Sequence, residues 1–283
     1  MRSLYPIVFV VSVMFCVSAK ANEKELDIST IQKLEALAVN GDIKARDVLI
    51  GYYIKDGTSH YAPKKATSLL EEIAENNNSD AMVYLGKLYL YGTNGIEKDA
   101  EAALRWFDRA GDLGNVEGSI LEADIYFNDK RYSLAFNNYL SIARNIHEPQ
   151  PRIQWLVSSM LTQGLGVAKD LETAHLYASH SAANGYAEAQ KDLGINYYKG
   201  LGVKRSKRLA KLWLKKAADQ DHKIAHSYLG AIYMDNKKFK KGIHHYGRAI
   251  ELGHSLSCKL LADARPKVKR FQPEIDEAMK TCK

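Results

Sequence analysis

The chain has 283 residues, of which 26% are charged and 46% hydrophobic, with a formal net charge of +7, six prolines and three cysteines. This charged fraction is close to the average for globular domains and excludes an acidic disordered chain and a polytopic membrane protein. The prolines fall between periodic segments, and residues 64–148 and 152–265 contain none. Because proline breaks helices, these long stretches predict an all-helical protein.

The first 21 residues have the pattern of a secretory signal peptide. Arg2 is followed by a short, mostly apolar run at 7–17 and then by Ala19-Lys-Ala21, with small residues at the two positions that a signal peptidase reads. A membrane anchor is the alternative, but the run is shorter than the roughly 18 apolar residues that a span needs. The sequence therefore predicts a periplasmic protein, or alternatively a secreted one, cleaved after Ala21 so that the mature chain begins at Asn22.

The rest of the chain repeats itself at a period near 36 residues. Close copies of an Ala-x-x-x-Leu-Gly-x-x-Tyr segment start at Ala81, Ala189 and Ala225. Weaker copies start at Ala45, Gly118 and Ile153, and a truncated copy starts at Ser257. The intervals between successive starts are 36, 37, 35, 36, 36 and 32 residues. A register kept over so many intervals predicts an architecture of stacked repeats.

Each clear repeat has a second half. A Gly-x-Gly-Val loop stands at 164–167 and 200–203, with a one-residue-longer variant at 92–96. Glycines accept positive φ, so the loop predicts a helix end and a turn. Asp99, Asp170 and Ser206 are predicted N-caps of a second helix, whose apolar stripe includes Trp106 and Trp213 as core residues. Each repeat is therefore predicted to be a helix, a glycine turn and a capped helix.

These motifs at this spacing resemble Sel1-like repeats, relatives of the tetratricopeptide repeats with a longer loop inside each repeat. The resemblance covers about residues 41–262, although the repeats from Gly118 and Ala225 lack the glycine loop. It implies an all-α, right-handed α-solenoid of about six helix-turn-helix repeats over 45–256. An N-terminal helix or cap is expected at 22–44. A truncated repeat and a capping helix, at about 274–281, are expected within 257–283.

The cysteine count follows from the predicted export. Cys16 leaves with the signal peptide, and the mature chain keeps Cys258 and Cys282. An oxidising compartment favours a disulfide between them, with two free thiols as the alternative. Such a bridge closes a loop of about 24 residues, which the chain-entropy model values at about 3 kcal/mol.

Motifs for catalysis are missing from the sequence. It contains no Ser-x-x-Lys, no Gly-x-Ser-x-Gly, no His-Glu-x-x-His and no P-loop. His222 and His226 stand four residues apart, a spacing that can bind a metal on a helix. The alternative places His222 in an inter-helix turn, and His245 takes the place of a repeat tryptophan. We predict no catalytic residue, no metal ligand and no cofactor.

Charge is distributed unevenly along the chain. Residues 22–130 contain 12 basic and 20 acidic residues, a net charge of −8, whereas residues 201–250 contain 13 basic and 3 acidic residues, a net charge of +10. The predicted basic patch consists of Lys204, Arg205, Lys207, Arg208 and Lys211. It could steer an oppositely charged protein or contact an anionic surface, or it could be an ordinary solvated helix face. Nucleic acid is not an expected partner of an exported chain.

One row of residues could line a binding groove. In tetratricopeptide-like stacking the first helices form the concave face, and the residue after the repeat tyrosine should point into it. That row reads Ile54, Leu90, Phe127, Thr162, Tyr198 and Met234. Its apolar members suggest a groove for an extended chain or a helix of a partner, with Leu90, Phe127, Tyr198 and Met234 as contacts. Burial between adjacent repeats is the alternative.

The resemblance implies a non-catalytic protein that binds a protein partner through its solenoid surface, as an adaptor, scaffold or inhibitor. An immunity protein that neutralises a periplasm-acting toxin, such as a type VI secretion lipase, is the alternative within this class. A hydrolase of cell-wall or β-lactam substrates is a weaker alternative, because its nucleophile motif is missing. No integral membrane segment is expected in the mature chain.

Overall fold

The structure is a computed structural model that describes residues 26–39, 42–53, 62–92, 95–145 and 147–282. The predicted signal peptide lies outside these residues. All regular secondary structure within the described ranges is helical. The chain divides into two compact units, Met1–Leu69 and Leu70–Lys283.

The first unit contains α1 (Ile28–Val39), α2 (Ile43–Tyr53) and the start of α3 (Pro63–Glu75). Its core is small, and is formed by Ile31, Ala38, Ala45, Leu49, Tyr53 and Ala66. The Tyr53 hydroxyl donates a hydrogen bond to Glu35 Oε1 at 2.5 Å, and Lys65 Nζ lies 3.3 Å from the same oxygen. This polar cluster joins all three helices of the unit.

The second unit continues with five helix pairs. They are α4 (Ser79–Tyr91) with α5 (Ala100–Asp112), α6 (Val116–Asn128) with α7 (Tyr132–Ala143), α8 (Pro151–Gln163) with α9 (Leu171–Ala183), α10 (Ala187–Lys199) with α11 (Lys207–Ala218), and α12 (Lys223–Asp235) with α13 (Phe239–Glu251). Each pair packs together, and its second helix packs on the first helix of the next pair. This consecutive pairing confirms the predicted all-α solenoid.

The turns and caps predicted between the two helices of a pair are confirmed. Gly92, Gly164 and Gly200 end their helices in the left-handed region, with φ of 64°, 75° and 77°. The side chains of Asp99, Asp170 and Ser206 accept hydrogen bonds from backbone N–H groups in the first turn of α5, α9 and α11. The caps satisfy donors that have no partner inside the helix.

The glycine of the Leu-Gly motif lets the two helices of a repeat touch. A Cβ added at Gly194 would lie 2.5 Å from Leu214 Cγ and 3.1 Å from the Leu214 backbone nitrogen. A Cβ at Gly86 would lie 2.4 Å from the ring of Phe107. The separations of 2.4 and 2.5 Å are shorter than a Cβ contact allows, so the close packing of the pair requires glycine at this position.

The glycine loop has a second function between repeats. Gly166 has a φ of 70°, and a Cβ there would lie 2.3 Å from the carbonyl carbon of Tyr132, the first residue of α7. The loop of one repeat therefore rests on the start of the second helix of the preceding repeat. Val167 packs against the core of the same region.

The tryptophans are less buried than predicted. Trp106 and Trp213 are half-buried, because each sits at the margin of its apolar stripe. The Arg109 guanidinium lies 4.8 Å from the Trp106 ring centroid, and Lys216 Nζ lies 4.4 Å from that of Trp213. The deepest positions of the second helices are held by smaller residues, such as Phe107 and Leu214, which are 0% exposed.

A cap covers the C-terminal end of the second unit. After α14 (Ser255–Ala264) come a 3₁₀ helix, Arg265–Phe271, and α15 (Gln272–Ala278). The last helix begins two residues before the predicted position, because Pro273 fits its first turn. Cys258 and Cys282 form the disulfide. The cap packs with α13 in a cluster of Ile243, Tyr246, Ile250, Leu261, Val268 and Ile275.

We expect Gly194→Ala to lower the free energy of unfolding by about 1–3 kcal/mol, because the added methyl group collides with the Leu214 side chain. The measurement is urea denaturation followed by circular dichroism. Gly51→Ala is the matched control: Gly51 is an exposed helical glycine, and nothing in the described part of the chain lies within 4 Å of its added Cβ. The control should gain about 0.5–1 kcal/mol from helix propensity. Equal stability of the two variants would contradict the packing argument.

Candidate interaction surface

The predicted row lies at one edge of the second unit. Leu90, Phe127, Thr162, Tyr198 and Met234 are each the penultimate residue of a first helix. Ile54 lies outside the described residues. The backbone N–H of Ser206, the N-cap of α11, donates to the carbonyl of Tyr197 at 2.9 Å, and equivalent bonds join α5 and α9 to their first helices. The row therefore stands beside the N-termini of the second helices rather than midway along the first ones. We call this side of the repeats the turn edge.

The row is partly exposed, and its members differ in what they contact. The Phe127 ring lies 5.4 Å from that of Tyr132 in the second helix of its own repeat. Met234 packs on Gly242 of α13 in the same way. Tyr198 reaches into the next repeat, with its ring 5.8 Å from that of Tyr228. Thr162 is exposed, and the other four described members are half-buried.

Polar side chains join successive first helices one repeat apart. Trp155 Nε1 donates to Asp192 Oδ2 at 2.8 Å, and Ser257 donates to Ser227 at 3.0 Å. His222 Nε2 lies 3.1 Å from Glu188 Oε1. This hydrogen bond, reinforced by Lys191, lowers the pKa of Glu188 to about 2. These pairs were not predicted from the sequence. Their members are 30–37 residues apart, close to the repeat period, so polar residues at this spacing could have indicated them.

The basic patch adjoins the row at the turn edge. Lys204, Arg205, Lys207, Arg208 and Lys211 are all exposed, in the loop before α11 and in its first turns. Arg205 Nε donates to the Tyr198 carbonyl at 3.0 Å. Lys207 Nζ lies 3.6 Å from Asp235 Oδ2, which also accepts from the Tyr198 hydroxyl at 3.4 Å. The structure therefore brings Tyr198 and the basic patch together.

Comparisons with known proteins agree with this geometry. The Sel1 repeat family model matches residues 79–115, 153–186, 187–222 and 225–254. The chain belongs to the Sel1-like repeat family. The first helices α4 and α10 begin at the first residue of a matched segment, and α8 and α12 begin two residues before one.

Two solved structures share the fold of this Sel1-like repeat protein. One is the protective antigen c5321 present in uropathogenic Escherichia coli strains, with a TM-score of 0.73 and 20% identity over 89% of this chain and 56% of that chain. The other is a Sel1 repeat protein from Oxalobacter formigenes, with a TM-score of 0.70 and 20% identity over 92% of this chain and 78% of that one.

A curated relative is the ERAD-associated E3 ubiquitin-protein ligase component HRD3B of Arabidopsis thaliana. It is 32% identical over 106 residues, which are 38% of this chain and 17% of that protein. The chain spans about a fifth of the length of the curated relatives it matches. Sel1-repeat proteins are generally non-catalytic scaffolds or adaptors. No helix in the described ranges is long and apolar enough to cross a membrane.

The histidines with metal-ligand spacing have protein partners instead. His222 caps α12 through Nδ1 and bonds Glu188 through Nε2. His226 Nε2 lies 3.1 Å from the Ala218 carbonyl and must donate to it, so His226 Nδ1 accepts from His245 Nδ1 at 3.0 Å. Among the described residues no group of three or more His, Cys, Asp or Glu side chains could hold a metal ion.

The surroundings of the His226–His245 pair favour the neutral form of both rings. His226 is buried and His245 is half-buried. The His245 ring stacks on Tyr233 at 5.3 Å. Burial, together with neighbouring His226 and His244, lowers the pKa of His245 to about 4. Burial also lowers the pKa of His226. Since both histidines titrate near pH 6.5 when unfolded, the unfolded chain binds more protons than the folded chain between about pH 6.5 and 4.

We therefore expect the free energy of unfolding to fall as the pH is lowered from 6.5 to 4, with each histidine contributing at most about 1.4 kcal/mol per pH unit. His245→Gln keeps a hydrogen-bond donor for His226 but removes one titrating group, so its profile should be flatter than that of the unmodified protein. The measurement is urea denaturation at successive pH values. His180→Gln, at an exposed histidine of α9, is the control and should leave the profile unchanged. Parallel profiles for His245→Gln and the unmodified protein would refute the assignment.

Proposed function

We propose that this protein is a non-catalytic binding protein that holds a protein partner at the turn edge of its repeats. The observation that carries the proposal is the row itself: of five successive first helices, four have a half-buried aromatic or aliphatic side chain at the same position. Sel1 repeats mediate protein–protein interaction, and the HRD3B relative is described as a component of a larger ligase.

The geometry suits a partner that extends along the repeats. Four of the five repeats of the second unit offer an anchor at the turn edge. Phe127 and Met234 are held by their own second helices, and Tyr198 is held by the next repeat. Half-buried aromatic groups with fixed neighbours lose little side-chain entropy on binding, which is why such residues dominate interfaces. Tyr198 is the strongest candidate, because its ring packs on Tyr228 while its hydroxyl is held by Asp235.

The Ser–His contacts in the described chain do not favour a hydrolase. Ser179 Oγ lies 3.5 Å from His175 Nε2, but His175 Nδ1 is buried without a hydrogen-bond partner, so no acid orients the ring. Ser257 Oγ lies 2.8 Å from His254 Nδ1, but Ser257 is 0% exposed and donates to Ser227. Neither pair forms a nucleophile, base and acid in one accessible site.

The proposal includes export, with the periplasm as the working location. The apolar run at 7–17 and the small residues at 19 and 21 support it. We expect protein recovered from the periplasmic fraction to begin at Asn22. In a digest without reductant, the peptides that contain Cys258 and Cys282 should be found joined, because the two cysteines form a disulfide. A product that retains residues 1–21 in the membrane fraction would identify a membrane anchor and contradict cleavage after Ala21. Free thiols on both cysteines in the absence of reductant would contradict a stable disulfide.

The binding role is tested by affinity capture with matched variants. The purified protein is used to capture partners from periplasmic extract, and the affinity of the main partner is then measured. Tyr198→Ala should weaken that affinity by about 2 kcal/mol, roughly thirtyfold, if Tyr198 is an interface anchor. Leu176→Ala and Leu212→Ala are the controls, since these leucines of the second helices are 53% and 47% exposed.

Two outcomes separate the alternatives within this proposal. One stoichiometric enzyme as the captured partner would identify an inhibitor or immunity protein, whereas a set of envelope proteins would identify an adaptor. If Tyr198→Ala binds like the controls while its melting curve is unchanged, the turn edge is not the partner surface. A melting temperature that is lowered in Tyr198→Ala alone would assign Tyr198 to packing between repeats. The effect of Leu90→Ala on partner affinity would then test whether the turn edge is the partner surface.

A further inference from the structure

The basic residues of the last repeats are concentrated at the turn edge. Besides the basic patch, they include Lys237 and Lys238 in the turn between α12 and α13, and Lys240 and Lys241 in the first turn of α13. All four are exposed, as is Arg270 of the 3₁₀ helix. We call Lys237, Lys238, Lys240, Lys241 and Arg270 the cationic rim.

These cations are not neutralised by the protein itself. Of the basic patch and the cationic rim, only Lys207 has a carboxylate within 4.0 Å in the part of the chain that the structure describes. Elsewhere in the same unit basic residues have partners, as in Lys87 with Glu117 at 2.7 Å and Arg109 with Glu75 at 2.9 Å. Unpaired like charges repel one another, so their concentration disfavours the free protein and favours a bound anion.

The placement also departs from what helix stability favours. The first turns of α5 and α9 contain Glu101 and Glu172, as expected beside the positive end of a helix dipole. The first turn of α13 contains no acidic residue, and Lys238 caps it without a side-chain hydrogen bond. Lysines at this end are unfavourable, because they lie beside the positive end of the helix dipole. The backbone and the side chains thus add positive potential at the same place.

The cationic rim encloses an apolar floor. It surrounds an open groove of roughly 320 Å³ whose remaining lining residues are Phe239 and Phe271. Their ring centroids are 6.2 Å apart, and both side chains are half-buried. The Arg270 guanidinium lies 4.6 Å from the Phe271 ring centroid, which keeps it at the border of the groove. Cations from two separate elements therefore flank a floor of aromatic rings.

We propose that this groove docks an acidic segment of the protein partner, with an apolar side chain of that segment on the two phenyl rings and carboxylates on either side of it paired with the cationic rim. The inference rests on the proposed function, since it names the chemistry of the partner. The two rings are half-buried whereas the surrounding cations are exposed. This arrangement fits a polypeptide that inserts one apolar side chain better than a bilayer surface, whose headgroups would meet the lysines but not the rings.

The probe is a fluorescent nine-residue peptide with four glutamates on each side of a phenylalanine, and its matched control has serine in place of the phenylalanine. Binding is measured by fluorescence anisotropy at low and at physiological salt. We expect the phenylalanine peptide to bind about fivefold more tightly than the serine peptide, and both affinities to fall with added salt. Equal binding of the two peptides, or no binding of either, overturns the proposal.

The charge contribution is tested with paired variants. Lys240→Glu with Lys241→Glu should weaken peptide binding by about tenfold, because it removes two cations of the rim and adds two repelling charges. The substitution suits the helix N-terminus, so the fold should be kept. Lys215→Glu with Lys216→Glu makes the same change in net charge at exposed residues of the last turn of α11, and should weaken binding by less than about threefold. Equal losses in both double variants would show attraction by net charge alone and would overturn the proposal.

Two further measurements separate this inference from its rivals. The fraction of protein that sediments with phosphatidylglycerol vesicles should be the same with and without the phenylalanine peptide, because vesicles and peptide do not compete for the groove. Binding to vesicles without binding to the peptide would assign the rim to a membrane surface instead. A captured partner whose affinity depends on Tyr198 but not on Lys240 and Lys241 would keep the proposed function and overturn the acidic-segment inference alone.

Discussion

The absence of a Cβ at one glycine in a repeat is the constraint on which much of this structure depends. At Gly194 an added methyl carbon would reach the side chain and backbone of Leu214, so the two helices of the repeat approach to backbone contact only because glycine is there. Two amphipathic helices held this closely bury one shared face but leave another apolar face open, which only the next repeat can cover. Three features cover this exposed apolar face: the stacking of the pairs, the contacts of the glycine loops with the preceding repeat, and the disulfide-bonded cap at the C-terminal end.

Close helix pairing also decides where a partner can bind. A short turn connects each first helix to its second helix, so the ends of the first helices and the starts of the second helices lie together at the turn edge. Tyr198, Arg205 and Lys207 meet there through Asp235 and the Tyr198 carbonyl, although they come from a helix, a loop and another helix. The edge thus combines partly exposed aromatic rings with charged side chains, which are the two components that protein interfaces use for affinity and for selectivity.

The electrostatic difference between the repeats follows the same edge. In α5 and α9 carboxylates occupy the first turn and complement the helix dipole, whereas α11 and α13 have basic residues at the equivalent place. Helix stability alone would favour the carboxylates throughout. The fold is therefore compatible with acidic or basic residues in these first turns, and folding alone does not explain the basic ones. An acidic partner segment would explain them, because it would replace the carboxylates that these two helices lack.

Periodicity in the sequence was sufficient to determine the helices, their pairing and the N-caps Asp99, Asp170 and Ser206, because each depends on residues near one another in the chain. The capping helix at the C-terminal end was expected from the family resemblance and from the need of a solenoid for a closing face. The pairing of Cys258 with Cys282 required only the cysteine count and the predicted compartment. Tertiary structure alone decided what each row residue packs against, since Phe127 and Met234 contact their own second helices while Tyr198 contacts the next repeat. Tertiary structure alone also placed the lysines of α13 beside Arg270 and Phe271. Their proximity depends on how the 3₁₀ helix packs against α13, and the repeat pattern, which ends near residue 265, contains no information about that part of the chain.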